Sequence, residues 1–79
     1  MDKISYISEL LRPMLTYPQD LFIEEKVDSK GIISILIHVS GVDMKKLVGN
    51  KGTLFKALKS LLVASYKNSD LELIINIIN

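Results

Sequence analysis

The sequence contains no cysteine and no tryptophan, and its only histidine is His38. Without cysteine there is no disulfide framework and no thiolate metal site, which fits a reducing compartment. One imidazole cannot make a metal centre, which needs several ligands. No serine has a histidine or an acid at a nucleophile-motif spacing. The adjacent carboxylates Glu24 and Glu25 fall in a strand pattern, where neighbours point to opposite faces and do not converge. No enzyme chemistry, cofactor or metal is therefore expected. Long apolar runs are also missing. Apolar residues make up 48% of the chain, yet no run approaches the ~20 residues that span a bilayer. Met1-Asp2-Lys3 leads into a helical pattern rather than a leader peptide. A cytoplasmic protein without a membrane partner is the expectation.

The most informative absence is local. Residues 44–67 hold six lysines (45, 46, 51, 56, 59 and 67) and not one acid, a charge of +6. The remainder has four basic and nine acidic residues, a charge of −5, so the net +1 conceals a cationic segment. Lysines often coat the wet face of helices. The complete lack of acids points instead to a polyanionic partner.

With 79 residues, one domain over 1–79 is expected, burying only roughly 60–65% of its unfolded surface. Residues 3–16 read as an amphipathic helix with Ile4, Ile7, Leu11 and Met14 recurring, widened by Leu10 and Leu15, and with Asp2 as N-cap. Pro13 removes a helical hydrogen bond, so the helix either kinks or ends near Leu11. Tyr17-Pro18-Gln19-Asp20 stops it. Residues 21–27 and 32–39 read as strands joined by the turn Asp28-Ser29-Lys30-Gly31, an antiparallel hairpin. Ile33, Ile35, Ile37 and Val39 share one face; Ser34, Leu36 and His38 share the other. His38 is expected on the outer sheet surface. Asp43 reads as the cap of a short helix, 44–48. A second helix over about 53–67 carries Leu54, Leu58, Leu61 and Leu62 inward and ends at Asn68-Ser69. A last strand, 71–78, places Leu71, Leu73, Ile75 and Ile77 together. The fold class is α+β: α-β-β-α-α-β, a three-stranded sheet with helices on one face.

Between the two central helices lies Gly49-Asn50-Lys51-Gly52. It reads as a helix C-cap and tight turn, or as an anion-binding device. Glycines allow positive φ and keep side chains away, so a sugar–phosphate backbone can approach. Lys51 adds a cation and Asn50 adds hydrogen bonds. Amides of the following helix start, together with its dipole, favour an anion.

That element order, with Gly-x-x-Gly joining the central helices, resembles the type II KH domain. It is most similar to small bacterial single-domain KH RNA-binding proteins of the KhpA (YlqC) kind. The resemblance runs from about Ile7 to Ile77. It rests on Tyr17-Pro18-Gln19-Asp20 before the first strand and on the stretch from Val39 to Gly52. An aliphatic residue precedes the first glycine (Val48), and an apolar one follows the second by three (Phe55). The resemblance implies a loop that clamps the backbone of about four nucleotides of single-stranded RNA. Gly49, Asn50, Lys51 and Gly52 would form the clamp, and Val48 and Thr53 would border it. Lys45, Lys46, Lys56 and Lys59 would supply positive field. Two positions depart from the family pattern: Lys45 stands where a small residue is common, and Thr53 where a basic residue often follows the second glycine. The family reading adds a homodimer, or a heterodimer with another KH-containing protein. Leu36, Ile74, Ile78 and Phe22 on the outer sheet face are candidate partner contacts. The expected function is a non-enzymatic RNA-binding protein, a post-transcriptional regulator or RNA chaperone. The rivals are an interaction module with weak or lost RNA binding, and a ribosome-assembly factor.

Overall fold

A computed structural model describes residues 3–68 and 70–78, and at position 50 the backbone only. The expected N-cap Asp2 and the residue Ser69 at the end of the last helix lie outside the described residues. Helix α1 spans Lys3–Leu11 and buries Ile7 and Leu11. It ends at Leu11, the second of the two outcomes expected from Pro13. The chain tightens into a 3₁₀ turn, Arg12–Met14, closed by Leu15 N–H to the Arg12 carbonyl at 3.1 Å. Pro13 has no N–H to donate and sits near the start of this turn, where none is needed. The tighter winding changes the phase of the side chains. Met14, expected inside, is exposed, whereas Leu15 enters the core. Leu10, also expected on the apolar stripe, is exposed as well. A second 3₁₀ turn, Pro18–Asp20, leads to the sheet.

Strand β1 spans Phe22–Val27 and β2 spans Ile33–Val39. They pair antiparallel, Phe22 opposite His38 and Val27 opposite Ile33. The Asp28 carboxylate accepts from the Lys30 and Ile32 N–H groups at 2.8 and 2.9 Å, which locks the hairpin. Gly31 occupies the left-handed region there, at φ +82°. Strand β3, Glu72–Ile77, joins β2 in parallel, Ile35 opposite Leu73 and Val39 opposite Ile77. The result is an α+β fold on a mixed sheet of order β1-β2-β3.

Alternation places Ile35, Ile37, Val39, Leu73 and Ile75 on the covered face, buried with Ile7, Leu11, Leu15, Leu47, Leu58, Leu62 and Leu71. Each such side chain contributes about 1.5–3 kcal/mol when fully removed from water. Ile77 shares their face but is 49% exposed. It borders Gly41, where a Cβ would stand 3.9 Å from its Cγ2, and glycine offers no side chain to cover it. On the open face, His38 is neither free nor fully exposed. Its Nε2 lies 3.0 Å from Glu24 Oε1, and its ring stacks on Phe22 at 5.6 Å between centroids. Glu25 points the other way and accepts from the Tyr66 hydroxyl, so the two glutamates diverge as alternation requires. The Lys3 ammonium lies 4.3 Å from the centre of the Tyr66 ring.

The two helices expected at 44–48 and 53–67 form one helical run, α2, Gly41–Tyr66. Its cap is Ser40, not Asp43: the Ser40 hydroxyl accepts from the Asp43 N–H at 3.2 Å. The sequence Ser40-Gly41-Val42-Asp43 is a capping-box pattern that carries this signal. Asp43 is released for another task. Fully buried, it accepts from the backbone N–H groups of Thr16 at 2.7 Å and Tyr17 at 2.9 Å, and from the Ser40 hydroxyl at 3.1 Å. Lys46 Nζ sits 3.8 Å from its carboxylate and donates to the Thr16 hydroxyl. At its far end α2 closes on Lys67, left-handed at φ +53°, with the Asn68 N–H on the Val63 carbonyl at 3.2 Å. Among the described residues, no helix is long and apolar enough to cross a membrane.

Burial alone pushes the Asp43 carboxyl up, but the Thr16 and Tyr17 N–H groups, the Ser40 hydroxyl and the Lys46 ammonium outweigh it. The net effect holds the group below the ordinary carboxylate value. Its stabilisation is therefore present above the unfolded-state value of about 3.9 and is lost as pH falls through the folded one. Asp43→Asn turns an amide toward donors that need an acceptor. It should lower Tm by roughly 5–15 °C at pH 7. Thermal melts below about pH 4 should show the gap from wild type closing. A gap that persists undiminished at pH 3 would mean that ionisation of Asp43 is not what holds the segment.

Candidate functional site

The helical run α2 is not straight-backed throughout. Lys51 has φ +61° and Gly52 φ +72°, two successive left-handed residues. No α-helix accommodates such a pair, so α2 consists of two helical arms meeting at an elbow. For glycine this conformation is free of Cβ strain, whereas for Lys51 it costs roughly 1–2 kcal/mol. Gly49 differs. It has no positive φ, and a Cβ added there would meet nothing within 4 Å. Neither backbone nor packing requires glycine at 49; its effect is to leave the surface bare beside the elbow. At Gly52 the surroundings are equally open, and only φ demands glycine. The backbone changes from right- to left-handed at 50–51 and back at 52–53, and alternation of this kind can form a concave set of amides that accepts anions.

The cations are arranged around this elbow. Lys45, Lys51, Lys56 and Lys59 are exposed and make no ion pair among the described residues. Lys46, expected to supply positive field, is exposed as well. Its ammonium also donates to the Thr16 hydroxyl and lies 3.8 Å from the buried Asp43 carboxylate, which offsets part of its charge.

Helical geometry separates two flanks of the first arm. Asp43 and Leu47 are buried, one turn apart, and successive residues rotate by about 100°. Lys46 and Val48 therefore leave the buried line on opposite sides. Val42 (51% exposed), Lys45 and Val48 (43% exposed) form a stripe at three-residue spacing that winds across the outer face of the arm, from the Lys46 flank at Val42 to the opposite flank at Val48. Gly41, seven residues before Val48 and on the same flank, lies beside exposed Ile77 on β3. Val42 and Ile77 were not among the residues expected from sequence. The Val42-x-x-Lys45-x-x-Val48 spacing carries the signal for the first, and only the bare Gly41 exposes the second. On the Lys46 side, a groove of about 420 Å³ opens between the 3₁₀ turn and both arms, lined by Met14, Lys46, Leu47, Gly49, Thr53, Leu54 and Ala57.

The structure thus brings Gly49, Lys51, Gly52 and Thr53 to one elbow, with Val48 and Lys45 on one approach and Lys46 on the other. Lys56 and Lys59 lie further along the second arm, with Phe55 and Val63, around a shallow depression. The Asn50 side chain lies outside the described residues. Among the described residues, no cluster of three metal-ligating side chains occurs. No protein-family model, curated protein or solved structure was found that matches the chain.

The two glycines should respond oppositely to alanine. Gly52→Ala should cost about 1–2 kcal/mol in urea unfolding, because an L-residue must hold the left-handed position. Gly49→Ala should leave stability unchanged or raise it by up to about 1 kcal/mol, as expected for a right-handed helical glycine with open surroundings. Equal destabilisation by both would contradict the elbow geometry.

Proposed function

We propose that this chain binds single-stranded RNA through the elbow at Gly49–Gly52, and that its fold is the type II KH arrangement. The observation that carries the reading is the coincidence of three things at one place. A doubly left-handed break presents backbone amides, a bare glycine allows close approach, and the surrounding 24-residue segment, 44–67, holds lysines and no acid. The antiparallel–parallel sheet and the elbow between two arms of α2 support the fold assignment.

In this reading Lys51 and the amides at the elbow hold phosphates, while Lys45, Lys56 and Lys59 attract the polyanion. Val48, on the flank where Gly41 borders exposed Ile77, offers apolar contact to bases. Phosphate contact gives affinity with little sequence reading, and apolar stacking is tolerant of base identity. Broad specificity follows. A cytoplasmic regulator or RNA chaperone is the matching role. The competing reading is a protein-interaction module, acting as a homodimer or with another KH-containing chain. It draws on the uncharged Thr53 and on exposed Phe22, Ile74 and Ile78. It requires a stable dimer and no retardation of RNA at low salt.

The double variant Asn50→Asp with Lys51→Asp replaces a cationic elbow by an anionic one. It should fold as wild type by circular dichroism and lose RNA binding in an anisotropy titration. For wild type, log K should fall linearly with log salt, by about 0.7 per neutralised phosphate. A double variant that keeps both the wild-type affinity and the wild-type salt slope would show that the elbow is not the clamp.

A further inference from the structure

We propose that the groove on the Lys46 flank of the elbow is a second base-binding site. It would receive the nucleobase of a nucleotide whose phosphate rests at Gly49–Gly52, an inference that rests on the RNA-binding reading above. The groove and the elbow share Gly49 and Thr53, so a nucleotide held at the elbow has this cavity within reach of its base. Its volume of about 420 Å³ lies within the range of small-ligand clefts, and its walls are mainly apolar.

The lining suits a flat ring. Leu47 and Leu54 form aliphatic walls, and Ala57 keeps the space between the second arm and the 3₁₀ turn open. Met14 closes the opposite side and is 47% exposed, so much of its side chain is left for a ligand to cover. Its flexible, polarisable thioether makes favourable contact with aromatic rings. Charge selects the kind of ring. Among the described residues no acid lines the groove, and Asp43 behind it is buried and neutralised by Lys46 and its hydrogen bonds. A ring attached to a phosphate chain is therefore welcome, whereas a cationic side chain finds no partner there. The site lies across the first arm from Val48. An RNA chain crossing the elbow would thus place neighbouring bases on opposite flanks.

The test compares a single-stranded oligonucleotide RNA with an abasic oligomer of the same length and charge. Ala57→Leu fills the groove with a residue that favours helix, and Met14→Ala removes the ring contact without adding bulk. Each should weaken binding of the base-bearing RNA by about fivefold to a hundredfold, the range of one stacked base. Affinity for the abasic oligomer and the salt slope should not change, because no phosphate contact is touched. If both variants bind the base-bearing RNA as wild type while the Asn50→Asp, Lys51→Asp double variant loses binding, the groove proposal fails and the elbow reading stands. If that double variant also binds normally, the RNA-binding reading fails and the groove proposal falls with it. Equal loss for abasic and base-bearing oligomers would likewise overturn a base site.

Discussion

Asp43 holds the molecule's two halves in register. Its carboxylate gathers the Thr16 and Tyr17 amides, the Ser40 hydroxyl and the Lys46 ammonium into one buried knot. Those partners come from the segment after α1, the end of β2 and the first turns of α2. The direction in which α2 leaves the sheet, and the position of the Met14 turn against it, both depend on that knot. A buried charge is tolerated only when its lone pairs are satisfied, and here they are. Because the knot fixes the first arm of α2, it also fixes where the elbow stands.

The elbow carries local backbone strain. Lys51 occupies a conformation that costs an L-residue about 1–2 kcal/mol, beside a glycine that adopts it freely. Such strain is commonly found where a backbone must present its amides rather than pair them. Gly49 adds a different quality: its conformation could be held by any residue, yet a side chain there would stand over the surface between the Val48 stripe and the Met14 groove. Bare backbone flanked by apolar patches and exposed lysines is the combination on which the proposal of RNA binding rests.

Much of the fold is legible in the sequence because two-residue alternation is a strong signal. Ile35, Ile37 and Val39 can be assigned to the covered face, and Glu24 and Glu25 to opposite faces, from spacing alone. Met14 escapes the pattern because Pro13 tightens the winding, and a 3.6-residue period no longer describes the residues after it. The Asp43 knot is hidden for another reason. Its donors lie 26 and 27 positions away in sequence, and local pattern shows only the Ser40–Asp43 half of the arrangement. At the site, the Gly49–Gly52 elbow and its lysines can be read directly. The partial engagement of Lys46 and the groove beside Met14 depend on how distant segments pack, which spacing does not encode.

The central claim, that the elbow grips single-stranded RNA, is most directly tested by titrating isotope-labelled protein with a short single-stranded RNA and following backbone amide shifts. The account predicts that the largest changes cluster at Lys51, Gly52 and Thr53, with smaller ones at Val48 and along the Val42–Lys45 stripe. Changes confined to the open sheet face, around Phe22, Leu36, His38 and Ile74, would contradict it.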